Sequence, residues 1–437
     1  LRRSFVTIVL FAAILFSPRA WAASYFISAA GAQGDGSGSS AENAADASTQ
    51  DKYHAINEAQ NKPGTVIVYA PGTYLVSPAF GMFDGVAHRG AGIDKTIIKI
   101  ADGAAAGGFT PMWLAGKGRI SNFTFTDATI DFNSEHTAWW RAGQGCSMAF
   151  AFSTADHCTI QRVKFIHMGG RKQESFPVFF VHGKSGPGNV NHNLIDSCVF
   201  TEPIANGNTD GGLTCIMMAD AEPKITVDNT NVVSNCAFLD LKGPEHSDFP
   251  YTQCCTCPVA RNNTARAVDA LWFIEPGTQT MGNNVFFKGQ TVEVSGNHLL
   301  DSGELALILM HPNGTFAANL DVERNFVEMT QHPYLKEGPR GPTGVSIETY
   351  WAGNSSVGNV VVRGNTFVAP MPRKTPPIAV RVNPAAGSGN YFHVASLSVV
   401  DNELVNFLGD APAFRVSANR DFVEEYVNRG NRLAAGN

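Results

Sequence analysis

VSGNHL (residues 294–299) is one copy of a phrase that decides the fold: apolar, two residues, Asn or a small residue, one residue, then Phe or Leu. The same phrase reads ISNFTF (120–125), IQRVKF (160–165), IDSCVF (195–200), VSNCAF (233–238), VERNFV (322–327), VRGNTF (362–367) and VNRGNRL (427–433). VVDNEL, ending at Leu404, is a contracted copy. The copies end at 125, 165, 200, 238, 299, 327, 367, 404 and 433, in steps of 40, 35, 38, 61, 28, 40, 37 and 29 residues. A phrase recurring at such steps implies stacked units that share one continuous core. The step of 61 reads as one coil carrying a long loop.

Each copy is a short β-rich run, a tight turn and a second short run. Asn suits the turn because it tolerates left-handed backbone and bonds nearby amides. Stacked in register, Asn297, Asn325, Asn365 and Asn402 form a predicted side-chain ladder. A helical apolar period is confined to a segment near Tyr53 to Gln60. So little helix excludes leucine-rich and ankyrin arrays and leaves an all-β parallel β-helix solenoid with three short strands per coil. The 43 glycines, 29 phenylalanines and only 16% charged residues agree with many turns around a large apolar interior. A solenoid escapes the usual limit on core size, so residues 23–437 read as a single domain.

Arg2 and Arg3 precede an apolar stretch from Phe5 to Phe16, and Ala20-Trp21-Ala22 offers a small-x-small cleavage site. Residues 1–22 therefore read as a signal peptide, and the protein as secreted or periplasmic. Removing them takes away three arginines and moves the formal net charge from -6 to -9. An acidic chain without basic runs is a poor partner for nucleic acid or anionic membrane. The mature chain is expected to be soluble and monomeric.

Eight cysteines fit export. Cys198 and Cys236 share one phrase position in adjacent coils; their parallel side chains favour stacked buried thiols over a disulfide. Cys254, Cys255 and Cys257 read as part of a loop, with local disulfides to Cys215 or Cys146 expected. His246 is nearby, but a zinc ligand set is incomplete.

DKYHAINEAQ (51–60), GTVIVYAPGTYLV (64–76) and GVAHRGAGIDKTIIKI (85–100) resemble the opening of pectate-lyase-like right-handed β-helix proteins. With the repeats, the resemblance covers nearly the whole chain after residue 22. It implies a right-handed parallel β-helix solenoid with a short N-terminal capping helix, and right-handed crossovers agree with the general preference. That superfamily holds lyases, hydrolases, epimerases, phage tailspikes and adhesins, so the fold alone does not name a reaction. NTDG (208–211) looks like the first acidic motif of polygalacturonase-type glycosidases, but the paired Asp-Asp, Gly-His-Gly and Arg-Ile-Lys that should follow are missing.

A candidate site comes from stacking. The strands FPVFFVHG, LTCIMMAD, LWFIEPG, LALILMHP, VSIETYW and IAVRVNP, aligned at their ends, bring His182, Asp220, Glu275, His311, Tyr350 or Trp351, and Asn383 into one column. Rungs of a parallel sheet lie about 4.8 Å apart. Asp220 beside Glu275 would then be a carboxylate pair flanked by histidines, the expected catalytic group. It suits either nucleophile-plus-acid glycoside cleavage or a Ca²⁺ bound by Asp220 and Glu275. A Ca²⁺ there would acidify the α-proton of a uronate for β-elimination, with His182 or His311 moving protons. Long loops precede these strands, 239–270 among them, and would wall the groove. Trp139, Trp140 and Tyr350 would stack on sugar rings, and Arg171 or Arg266 would grip a uronate carboxylate.

Three functions follow. A polysaccharide lyase or related enzyme on an acidic polysaccharide comes first. A glycoside hydrolase using the carboxylate pair is second, and a non-catalytic carbohydrate-binding or surface structural β-helix third.

Overall fold

A computed structural model describes residues 24–26, 62–76, 80–104, 112–115, 119–138, 147–169, 175–180, 188–204, 213–218, 225–241, 252–276, 285–329, 343–349, 354–369, 377–383, 392–407, 414–416 and 422–434. The signal segment, the helix expected near Tyr53 to Gln60 and Cys146 lie outside them. Among the described residues, every strand pairing is parallel and joins one coil to the next, in a 25-stranded sheet and an 11-stranded sheet with two small sheets between them. No helix of the described residues is long and apolar enough to cross a membrane.

One coil shows how the sequence makes the shape. Strand Ala270–Ile274 lies in the 11-stranded sheet, and Thr291–Ser295 and His298–Ser302 follow in the 25-stranded sheet. A left-handed residue turns the chain between the last two: Gly296 at φ 62°. A Cβ on Gly296 would lie 2.5 Å from Asn262 Oδ1 of the preceding coil, so both backbone and space require glycine there. Other coils use Arg162, Ser197, Asn235, Asn262, Arg324 or Asp401 at this corner, all with positive φ.

The residue after each corner points into the core, and it forms the predicted ladder. Asn297 donates from its backbone N–H and from Nδ2 to Asn325 Oδ1, both at 2.9 Å. Asn325 does the same to Asn365, Asn365 to Asn402, and Asn402 to Asn431. Asn297 Nδ2 also reaches the Ala260 carbonyl at 3.0 Å. Every amide group within the ladder is thereby satisfied in an interior where an unmade bond is costly. Asn263 extends the ladder one coil further towards the N-terminus and receives the Cys236 N–H. Beyond it the same position is held by Cys236 and Cys198, buried free thiols as expected. There the core is aromatic instead: Phe165, Phe200 and Phe238 stack at 4.6 and 5.0 Å with their rings within 11° of parallel.

Three sequence expectations change. The step of 61 holds two coils, because Val259–Arg261 and Thr264–Arg266 pair with Val232–Ser234 and Ala237–Leu239 on one side and with the next coil on the other. VARNNTA (259–265) is a copy of the phrase in which Ala265 stands where other copies have Phe or Leu. ISNFTF occupies a different corner: Ile160 pairs with Phe125 and Phe165 with Ile130, so the true counterpart of IQRVKF is residues 125–130. Finally, Cys254 and Cys255 lie in a strand, Thr252–Thr256, not a loop, and Cys215, Cys254, Cys255 and Cys257 are free and buried. The disulfides expected for them are absent among the described residues. Successive residues of a strand point to opposite faces, so the Cys254-Cys255 pair divides between the two sides of the sheet. Burial pushes the Cys215, Cys254 and Cys257 thiols well above their ordinary range, which keeps them protonated and unreactive.

A candidate active site at the end of the 11-stranded sheet

Phe150, Val178, Ile216, Cys255, Trp272, Ala306, Val345 and Val380 stand opposite one another along the 11-stranded sheet. Phe150 packs on Phe125 and Phe165, and Trp272 on Phe316, so this column faces the core. By the two-residue alternation of a strand, the intervening residues face outward. Phe273, Leu307, Ser346 and Arg381 make one outward column. Two residues further along come Leu309, Glu348 and Asn383, with Glu275 continuing that column past Ile274. Nearly all of this outer face is buried, so the few charges on it stand out.

Two charged pairs form there. Glu275 Oε1 lies 2.9 Å from His311 Nε2, across neighbouring coils, with the side chains 26% and 11% exposed. His311 also donates its backbone N–H to the Pro276 carbonyl at 2.9 Å, which fixes the strand end that carries the ring. Glu348 Oε1 meets Arg381 at 3.2 Å, with side chains 1% and 11% exposed. Ser346, between them on the sheet, donates to Glu304 at 2.7 Å. Burying an ion pair is expensive in desolvation and seldom improves on apolar packing. A proton on His311 Nε2 would be donated to Glu275 and would place the imidazole lone pair on Nδ1, with the carboxylate orienting the ring. This is the base-plus-orienter arrangement of acid–base catalysis.

Of the expected column, Glu275, His311 and Asn383 fall among the described residues. Glu275 and His311 come together, although the backbone register sets Glu275 beside Leu309 and His311 reaches back two residues to meet it. His182, Asp220, Trp139, Trp140, Arg171 and Tyr350 lie outside the described residues. The strand leading to Asp220 (Leu213–Met217) is not adjacent to that leading to Glu275 (Ala270–Ile274): Thr252–Thr256 pairs with both. Two rungs separate their backbones by about 9–10 Å, where the sequence reading placed them on consecutive coils. The cause is the coil hidden in the step of 61. Arg266 is also displaced from its expected role. It ends strand Thr264–Arg266 on the 25-stranded sheet, where Nε donates to Asp240 Oδ1 at 2.9 Å and the second nitrogen meets Oδ2. It belongs to no loop before the 11-stranded sheet.

Glu348 and Arg381 were missed by sequence reasoning that weighed only strand ends. The available signal was a charge at an inner position of an otherwise apolar strand, VSIETYW and IAVRVNP.

The coil order, the parallel sheets and the stacked corners define the class: the fold is a right-handed parallel β-helix. A tailspike protein double mutant of E. coli bacteriophage HK620, solved in complex with pentasaccharide, superposes with a TM-score of 0.63 at 12% identity, covering 90% of this chain and 63% of that one. The A-modules of the Azotobacter vinelandii mannuronan C-5 epimerases AlgE4 and AlgE6 match at TM-scores of 0.43 and 0.47 and identities of 17% and 16%. They cover 94% of this chain each, and 96% and 100% of their own. No protein-family model and no curated protein matches the chain.

Proposed function

We propose that the protein is a secreted enzyme that cleaves an acidic polysaccharide by β-elimination at the outer face of the 11-stranded sheet. The observation that carries the reading is the Glu275–His311 pair at 2.9 Å, partly open to solvent on a face that is otherwise buried. In this reading, His311 Nδ1 takes the proton α to the uronate carboxyl group. The electron pair left behind forms the C=C bond as the glycosidic C–O bond breaks. The leaving oxygen receives a proton from solvent or from a neighbouring acid. Glu275 holds the imidazole and balances the imidazolium that forms. A groove for a chain of sugars is in keeping with the long solenoid face and with the pentasaccharide held by the tailspike fold mate. The chain acts as a monomer in this reading, with a polysaccharide as its partner.

Should Ca²⁺ bind, Asp220 and Glu275 would hold it and it would acidify the α-proton of the uronate; the steps above are carried by Glu275 and His311. One observation favours a second reading. The strands that lead to Asp220 and Glu275 stand two rungs apart, a spacing from which two side chains could bring their carboxylates to the roughly 6.5–9.5 Å of inverting glycoside hydrolases. Asp220 and Glu275 would then be its acid and base.

The test is incubation of the purified protein with pectins, alginate and other acidic and neutral glycans, with and without chelator. Elimination leaves an unsaturated uronate that absorbs in the ultraviolet; hydrolysis yields reducing ends without that absorbance. Absorbance that persists under chelator supports the elimination reading. Reducing ends alone favour the hydrolase. Binding without turnover on any glycan returns the protein to the non-catalytic class.

A further inference from the structure

A second histidine–carboxylate cluster lies on a different corner, four rungs from the coil of Glu275, roughly 19 Å along the axis. Strand Thr154–Asp156 pairs with Arg119–Ser121 in a small sheet, and the chain then turns through His157 at φ 55°. One coil on, His192 occupies the same corner at φ 56°. Histidine is among the few side chains that enter left-handed backbone with any frequency. With the next residue of each coil turned inward (Cys158 and Asn193, both buried), the two imidazoles project outward side by side. Their ring centroids are 4.3 Å apart and their planes 15° from parallel.

Both rings aim the same nitrogen at one oxygen. His157 Nδ1 is 3.0 Å and His192 Nδ1 3.3 Å from Asp156 Oδ1. The Arg119 guanidinium grips Oδ2, so the carboxylate cannot rotate away. All three donor atoms lie within 4.8 Å of one another. A tetrahedral Zn²⁺ with Zn–N and Zn–O bonds of about 2.0–2.2 Å has ligand-to-ligand edges of about 3.3–3.6 Å. The two nitrogen-to-oxygen separations therefore sit within a few tenths of an ångström of two edges of a coordination tetrahedron. Side-chain exposures of 55% and 46% for the histidines leave the outer positions to water.

We propose that Asp156, His157 and His192 form a surface site for a divalent first-row transition ion, Zn²⁺ or a close relative, that ties two adjacent coils together. Two imidazoles and one carboxylate make a borderline donor set, suited to Zn²⁺, Ni²⁺, Co²⁺ or Cu²⁺ and unsuited to Ca²⁺ or Mg²⁺, which want more oxygens. Arg119 acts as a positioning residue through the carboxylate.

Full-length protein freed of metal with chelator is titrated with Zn²⁺ by calorimetry and with Co²⁺ by visible absorption. One ion per chain is expected, with the visible bands of a low-coordinate Co²⁺. His157→Ala and His192→Ala should each weaken binding by more than about tenfold, and the double variant should abolish the one-to-one event. Both positions are exposed but lie at positive φ, so the metal-free variants should melt somewhat below the wild type, and only the wild type should gain melting temperature on adding Zn²⁺. Ca²⁺ should produce neither effect. A one-to-one event that survives in the double variant, or a wild-type titration indistinguishable from that variant, overturns the proposal.

Discussion

The two sheets of the solenoid share one backbone geometry and treat charge in opposite ways on their outer faces. On the 25-stranded sheet Arg162 pairs with Asp127 and Arg266 with Asp240 between coils in the open, and the largely covered Glu323 is held from outside by Arg324 of its own coil and Arg363 of the next. Their basic partners are 47–67% exposed, and such pairs add little to stability. The 11-stranded sheet has few charges, but Glu348 is 1% and its partner Arg381 11% exposed. The same chemical pair is solvated surface on one sheet and a costly interior feature on the other. The difference favours the proposal that puts the working face on the 11-stranded sheet, because burying an ion pair seldom gains stability.

Substitutions that respect or violate this contrast should separate sharply. The largest effect is on turnover. Glu275→Gln keeps the shape but loses the charge that holds His311, and should lower kcat by about 10²–10⁴. Because Glu275 is only partly buried at a strand end, its melting temperature should stay within a few degrees of wild type. Next comes stability on the buried face. Glu348→Gln strands the Arg381 charge and should cost about 3–5 kcal/mol in denaturant unfolding. The double variant Glu348→Leu/Arg381→Leu should recover most of that loss, whereas Asp127→Asn on the open face should cost under about 1 kcal/mol. If the two faces respond alike, the contrast between them is wrong. A smaller effect is expected in the ladder. Asn325→Ala orphans the Asn297 backbone N–H and should cost about 1–3 kcal/mol.

The smallest effect is a pH dependence. The hydrogen bond from His167 Nδ1 to Asp131, at 2.7 Å, raises the imidazole above its ordinary value, and partial burial opposes it only in part. A raised folded value means stabilisation that is complete below about pH 6.5 and fades as pH climbs through the folded value. Wild type should therefore exceed His167→Gln in melting temperature near pH 5.5, with the gap closing above neutral pH. A gap that widens with pH would contradict this pairing.

The ladder asparagines were legible because a buried amide must be satisfied by its copy in the next coil, so one phrase position repeats the same letter. Where the core could be filled by any apolar group, the signal thinned. Ala265 replaced the usual Phe or Leu and hid a whole coil, and with it the true spacing between the strands of Asp220 and Glu275. ISNFTF misled because several coils have more than one left-handed corner among the described residues, and each asks for the same small or polar residue. The Glu275–His311 pair could be read from strand ends without its register, because a long side chain spans a two-residue offset. Glu348 and Arg381 were invisible to that reading, since their meaning lies in burial rather than in position along the strand.

The central claim is that Glu275 and His311 act as one unit, and a double-mutant cycle on kcat/KM tests it most directly. Glu275→Gln, His311→Asn and the combined variant are assayed on the substrate identified from the glycan panel. Residues that work as one unit are grossly non-additive. The account predicts that each single variant loses most of the activity and that the double variant is scarcely worse than either. Additive losses, or turnover that survives both substitutions, would contradict it.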